Sequence, residues 1–184
     1  MSFQRTKRLA CAATVLLATI GAARASVARD DELVGDAQRT LAKYRRADPS
    51  LDEFFQRSSA YVVFPGIGKG GVVVGGAHGT GVLFENGVPI GMVTMNQVSV
   101  GVQIGGQEFS EIIFFQTPKN VAIFKQGKAN LSAEASAVAL DQGAAAVARY
   151  KNGIAIFTQV KGGLMAEASV GGQKFSFQPY APAP

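Results

Sequence analysis

Residues 61–87 read YVVFPGIGKGGVVVGGAHGTGVLFENG. Short β-branched and aromatic runs alternate here with glycine pairs, a pattern typical of strands separated by tight turns. The apolar run Tyr61–Phe64 stops at Pro65-Gly66. Gly81–Glu85 then leads into Asn86-Gly87, a strong hairpin signal because type I′ turns need positive φ at both central residues. This segment therefore predicts antiparallel strands.

The strand pattern continues downstream. Residues 98–104 alternate apolar and polar side chains, which predicts a half-buried strand, and Ile112–Phe115 is apolar on both faces, which predicts an interior strand. Asn152-Gly153 and Gly171-Gly172 mark two further hairpins. Many short strands without a strand–helix rhythm indicate an α+β fold, in which N-terminal helices pack on an antiparallel, glycine-rich β sandwich or barrel.

One segment, Asn130–Ala148, is ambiguous. Its alanine content favours a helix. Apolar and polar residues nevertheless alternate strictly from its start, so we interpret Leu131–Leu140 as a strand and keep the helix as the alternative.

Upstream of residue 61 the apolar spacing is helical. Asp30–Arg46 is predicted to be an amphipathic helix, since four apolar residues recur three or four positions apart: Leu33, Ala37, Leu41 and Tyr44. Asp48-Pro49 ends this helix. Ser50–Glu53 has the sequence of a capping box and predicts a second, short helix.

The N-terminus has the features of an export signal. A basic start is followed by the apolar stretch Leu9–Ala23, and Ala23-Arg24-Ala25 predicts cleavage before Ser26. The alternative is an uncleaved anchor, although about 15 apolar residues are few for a span of roughly 20. We therefore expect a signal peptide at 1–25, a helical lead-in at 26–60, a β domain at 61–178 that forms one unit with 30–60, and a proline-rich tail at 179–184. The expected location is the periplasm or cell envelope, with secretion as an alternative.

The charge of the chain does not indicate nucleic-acid binding. The chain has 18 Lys and Arg against 13 Asp and Glu, but four of the basic residues lie in the first 25 positions. Without these four the body is nearly neutral and has no broad field to attract nucleic acid. The one cysteine, Cys11, also lies in this segment, so the exported chain would need no disulfide.

Catalytic patterns are missing from the sequence. The only histidine, His78, stands between Ala77 and Gly79, where we expect a hydrogen-bonding surface residue. The run 66–71 satisfies G-x-G-x-x-G, but a strand pattern follows it instead of the helix that a dinucleotide site requires. We therefore predict a protein that is not an enzyme and needs no cofactor or metal.

Two lysines occur in a repeated context. Lys69-Gly70-Gly71 and Lys161-Gly162-Gly163 each predict the opening of a strand on glycine-rich backbone. Such backbone lets a lipid phosphate approach N–H groups while the lysine supplies charge. The alternative is a tight turn with a solvated lysine.

Four segments resemble the SYLF domain in their order and spacing. They are 65–71 (PGIGKGG), 75–83 (GGAHGTGVL), 101–107 (GVQIGGQ) and 161–166 (KGGLMA). The resemblance extends over about 30–177. It implies a lipid-binding module, whose eukaryotic members bind phosphoinositides, associate with actin patches and use a basic amphipathic N-terminal helix.

The resemblance implies lipid-binding roles for six basic residues: Lys69, Lys161, Arg39, Lys43, Arg45 and Arg46. For an exported protein it implies an anionic phospholipid membrane surface as partner, such as phosphatidylglycerol or cardiolipin. Asp36 lies three residues before Arg39, where its carboxylate can neutralise the charge of the Arg39 guanidinium. Two other functions stay open: an envelope scaffold or protein-interaction module, and a carrier of an apolar ligand.

Overall fold

The computed structural model describes residues 27–71, 74–100, 107–129, 131, 137–162 and 172–181. The chain divides into two compact units, Met1–Gly35 and Asp36–Pro184. In the first unit the described residues 27–35 are helical. The predicted signal peptide at 1–25, its cleavage site and the last three tail residues lie outside the described residues.

The second unit contains one seven-stranded sheet in the order β5-β6-β4-β1-β2-β3-β7. Its strands are β1 (Ala60–Gly71), β2 (Val74–Glu85), β3 (Val88–Val100), β4 (Gln107–Phe115), β5 (Ala137–Ala139), β6 (Ile154–Gly162) and β7 (Gln173–Pro179). All pairs are antiparallel except β5–β6, which is parallel. The fold is therefore α+β, as predicted, and the sheet is mixed because the β5–β6 pair departs from the predicted antiparallel arrangement. Among the described strands the sheet is open, so the sandwich or barrel is not confirmed.

The two Asn-Gly turns form as predicted. Asn86 and Gly87 have φ of 51° and 78°, and Asn152 and Gly153 have φ of 52° and 79°. Positive φ at both positions is the type I′ geometry that joins twisted antiparallel strands. Gly172 also has a positive φ, of 75°, whereas Gly171 lies outside the described residues.

Within the described residues the helices include α1 (27–47), α2 (Asp52–Arg57), α3 (Pro118–Lys125) and α4 (Ala144–Val147). A 3₁₀ turn, Pro49–Leu51, precedes α2. Its N-cap is Asp48, whose side chain accepts hydrogen bonds from both the N–H and the hydroxyl of Ser50. The predicted capping box starting at Ser50 is therefore wrong. The N-cap residue is Asp48, and the Ser50 hydroxyl donates to its carboxylate.

The ambiguous segment proves to be divided. Ala137–Ala139 is strand β5, Leu131 is helical, and 132–136 lie outside the described residues. The helix alternative holds for Leu131 and for α4. Leu131 is buried in the apolar core.

The inner face of the sheet carries the apolar core. Its centre includes Phe64, Ile67, Met95 and Ile113, all fully buried. Helix α3 closes one end of this face, because the Phe124 ring lies 4.7 Å from that of Phe115. The curvature of the sheet also brings β7 over the core, where Phe175 lies 5.1 Å from Phe124.

The outer face is covered by helices and aromatic rings. Within the second unit α1 buries Ala37, Leu41 and Tyr44, as its spacing predicts, and the Tyr44 hydroxyl donates to the Ser110 carbonyl at 2.7 Å. The ring of Phe54 in α2 packs 5.6 Å from Phe114. This packing fixes the opposite surface of α1 toward solvent. No helix among the described residues is both long enough and apolar enough to span a membrane.

Candidate functional site

The sheet has two ends that differ in chemistry. At the end that we call the glycine end, β1 and β6 finish and β4 begins, which places Lys69, Glu108 and Lys161 there. At the opposite end, the hairpin end, lie the turns Asn86-Gly87 and Asn152-Gly153. The repeated lysines therefore lie at strand ends, and the prediction that they open strands is wrong.

The glycine end does not bring the two lysines together. Lys161 Nζ forms an ion pair with Glu108 Oε1 at 2.7 Å. A Cβ added at Gly66 would lie 2.7 Å from that same oxygen, so the pair occupies the outer face beside Gly66. Lys69 is paired with Ala77 of the core and lies two residues after Ile67, which places it on the inner face. The Gly66 backbone thus makes room for an ion pair.

Helix α1 carries the other four predicted residues, and two of them are paired. Arg39 contacts Asp36 at 2.5 Å, as expected, and Arg45 contacts Asp52 at 3.1 Å while stacking 4.2 Å above the Phe55 ring. These contacts neutralise both guanidinium groups locally.

The remaining two cations of α1 are available to a partner. Lys43 and Arg46 are exposed and form no ion pair with any residue that the structure describes. Together with Arg39 they follow a spacing of four and three, which aligns them on one solvent-facing stripe. We call Arg39, Lys43 and Arg46 the α1 stripe.

A buried polar layer was missed by the sequence analysis. Glu111 is fully buried on the inner face, next to Thr158 across β4 and β6. Gln173 Nε2 donates to Glu111 Oε2 at 3.4 Å. The other carboxylate oxygen, Glu111 Oε1, has no hydrogen-bond partner among the described residues. Burial raises the pKa of Glu111 to about 7, against the lowering effect of the Gln173 hydrogen bond. The sequence signal was a lone acid preceding Ile112–Phe115.

A basic group at the hairpin end was not predicted from the sequence. Five cations lie on α2, α3 and the adjoining segments: Arg57, Lys119, Lys125, Arg149 and Lys151. Glu53 pairs with Arg57 at 2.7 Å, and Glu85 pairs with Lys125 at 2.6 Å. The other three form no ion pair within the described parts of the chain. These cations are far apart in the sequence, so no local pattern predicts that they lie at the same end of the sheet.

The lone histidine behaves as expected of a surface residue. His78 is exposed, and its Nδ1 lies 2.9 Å from Asn96 Oδ1. Within the described residues no group of three or more His, Cys, Asp or Glu side chains could hold a metal ion.

Residues 96–181 match a family model, that of Ysc84, described as a Las17-binding protein actin regulator. The match lies in the SYLF domain family, which is the family that the four sequence segments resemble. The family is of an actin-, Las17- and lipid-binding type. No curated protein matches the chain.

The SYLF match begins inside β3 and ends just after β7. Of the six predicted lipid-binding residues it includes only Lys161. Lys69 and the α1 residues precede it, so their proposed roles depend on the geometry described above.

Proposed function

We propose that the protein is a non-enzymatic, exported module that attaches reversibly to anionic phospholipid surfaces through the α1 stripe. The observation that carries this proposal is the pair Lys43 and Arg46, exposed one turn apart on a helix whose other face is anchored by Tyr44. A rigid helix presents these cations to a surface with little loss of backbone entropy. The lipid-binding type of the SYLF family supports the same class of partner. The near-neutral body gives no reason to expect nucleic acid.

The number of cations close to the anionic surface sets the binding free energy of this attachment. Each Lys or Arg close to an anionic surface contributes about 1 kcal/mol, and the effect fades within a Debye length of about 8 Å in physiological salt. Lys43 and Arg46 together contribute about 2 kcal/mol, and residues already in ion pairs contribute less. Binding is therefore moderate and weakened by salt.

Cosedimentation with vesicles tests the proposal. Wild-type protein should bind phosphatidylglycerol vesicles at low salt and phosphatidylcholine vesicles much less. The double variant K43Q/R46Q should bind about 30-fold more weakly, the factor that corresponds to about 2 kcal/mol. The matched control R39Q/R45Q removes two paired cations of the same helix and should lose less than half of that free energy. Equal binding to neutral vesicles would refute the electrostatic mechanism.

A protein-interaction module is the second candidate, favoured by the family's description as Las17-binding. Strands β5 and β7 are the two sheet edges that could pair with a partner. If wild-type protein ignores anionic vesicles at low salt, this candidate replaces the first. The apolar-ligand carrier has less support, because Phe64, Phe124 and Phe175 fill the inner face.

A further inference from the structure

The hairpin end contains a cavity of about 430 Å³ between α2, the C-terminal end of α4 and the residue that follows β4. Its lining consists of Glu53, Phe54, Arg57, Gln116, Ala146, Ala148, Arg149 and Tyr150. The cavity lies wholly within the second unit and outside the α1 stripe. Two of its three charged residues are arginines.

Both arginines are held in place by only part of their donor set. Arg57 uses Nη1 to bind Glu53 Oε1, and Arg149 uses Nη1 to bind the carbonyls of Ala146 and Ala148 at 3.0 and 2.7 Å. A guanidinium has five N–H donors in a fixed fork. The remaining nitrogens of both side chains make no hydrogen bond within the described residues. The anchoring lowers the entropy that a ligand must remove on binding.

The rest of the lining is suited to a small anion with an apolar part. The phenol of Tyr150 donates to the Phe54 carbonyl at 3.3 Å, and the rings of these two lining residues lie 5.1 Å apart. Burial raises the pKa of Tyr150 to about 12, and the charge of Arg57 opposes this rise, so the phenol is neutral at physiological pH. Lys151, next in the chain and exposed, adds positive charge beside the cavity.

We propose that this cavity is a binding site for a phosphate monoester, with Arg57 and Arg149 as its two ligands. Planar guanidinium forks bind phosphate oxygens bidentately, and two of them match a dianion better than one. Glu53 weakens the site by its negative charge while it orients Arg57. The phosphate can belong to a soluble ester or to a lipid headgroup such as phosphatidic acid.

Titration of the full chain followed by NMR tests the site. Glycerol 3-phosphate and inorganic phosphate should shift the Arg57 and Arg149 side-chain Nε–Hε signals, with a dissociation constant on the order of 1 mM. Acetate should bind at least about tenfold more weakly, because it presents a single charge. R57Q and R149Q should each weaken phosphate binding about fivefold or more. R46Q in the α1 stripe is the matched control and should leave it unchanged.

A variant that strengthens binding excludes misfolding as the explanation. E53Q keeps an amide oxygen beside Arg57 but removes the negative charge, so it should tighten phosphate binding severalfold. The proposal is overturned if phosphate shifts neither arginine, if acetate binds equally well, or if E53Q weakens binding.

Vesicles then identify the source of the phosphate and separate this proposal from that of the α1 stripe. If R57Q/R149Q loses binding to phosphatidic acid vesicles but K43Q/R46Q does not, the cavity binds a lipid headgroup and the α1 proposal fails. If only K43Q/R46Q loses vesicle binding while glycerol 3-phosphate still binds the cavity, the ligand is soluble and both proposals hold.

Discussion

At the hairpin end the inner face is closed by Val121, Phe124 and Ile154, and the cations lie outside it. Towards the glycine end the inner face encloses Glu111, and Lys161 is held by Glu108. The hairpin end therefore has three cations without an ion pair among the described residues, whereas at the glycine end Lys161 is held in one. Of the two glycine-flanked lysines, which are conspicuous in the sequence, Lys161 is therefore less available to a partner than Lys119, Arg149 or Lys151.

The largest expected effect comes from opening the hairpin end. Phe124→Ala should lower the free energy of unfolding by about 3–5 kcal/mol, because its ring packs on both Phe115 and Phe175. Urea unfolding measures the loss. The matched change Phe109→Ala lies on the inner face towards the glycine end and should cost less. A loss of less than about 1 kcal/mol in Phe124→Ala would show that α3 does not close the core as described.

The buried acid near the glycine end should make stability depend on pH. The pKa of Glu111 is about 7 in the folded protein and 4.5 in the unfolded chain, so the folded state binds more protons between these values. Stability is then highest below pH 4.5 for this group and falls by roughly 3 kcal/mol as pH rises through 7. Urea unfolding between pH 5 and pH 8 should detect most of this fall.

Glu111→Gln should abolish this fall and stabilise the protein at pH 8, because the amide stays neutral. Glu108→Gln, which changes an exposed acid of the same strand, is the control and should keep the pH dependence. A Glu111→Gln variant with the wild-type pH slope would contradict the assignment.

The opposite pH effect is expected from Asp48, which connects the helices beside the hairpin end. Burial raises its pKa, but hydrogen bonds from Ser50 and from the Ala145 N–H at 2.7 Å outweigh this and lower it below 3.8. This contribution is present above pH 3.8 and is lost as pH falls through the folded pKa.

Replacing Asp48 by Ala leaves the buried Ala145 N–H without an acceptor, so we expect a loss of about 2 kcal/mol at pH 6. Asp48→Asn keeps an acceptor and should lose less. Since Asp48 positions α4, Asp48→Ala should also weaken phosphate binding in the adjoining cavity. Unchanged stability in both variants would contradict this role.

The smallest effect concerns the ion pair of the glycine end. Glu108→Gln frees Lys161 and should strengthen binding to phosphatidylglycerol vesicles by about 1 kcal/mol, roughly fivefold. Lys161→Gln, which removes a neutralised cation, should change it little, and both should alter stability by less than about 1 kcal/mol. A several-fold loss of binding in Lys161→Gln would restore the glycine end as a binding surface.

Sequence patterns predicted the tight turns and the buried face of α1, because these features depend on residues that are close together in the chain. Asn86-Gly87 and Asn152-Gly153 form type I′ turns because few other residues adopt positive φ twice in succession. The spacing of Ala37, Leu41 and Tyr44 predicted the buried face of α1 because an apolar stripe must be covered. The parallel pairing of β5 was not predictable, since it depends on where a returning chain meets the sheet edge.

For the candidate sites too, some features follow from the sequence and others only from the tertiary structure. The sequence by itself determined which residues are basic, which helix is amphipathic, where the tight turns lie and the resemblance to the SYLF family. Only the tertiary structure decided which cations are free: Glu108 lies 53 positions from Lys161 and still neutralises it, and Arg57 and Arg149 share a cavity although 92 positions separate them. The physical reason is that Coulomb energy and hydrogen bonding depend on distance in space, which sheet pairing sets and sequence separation does not.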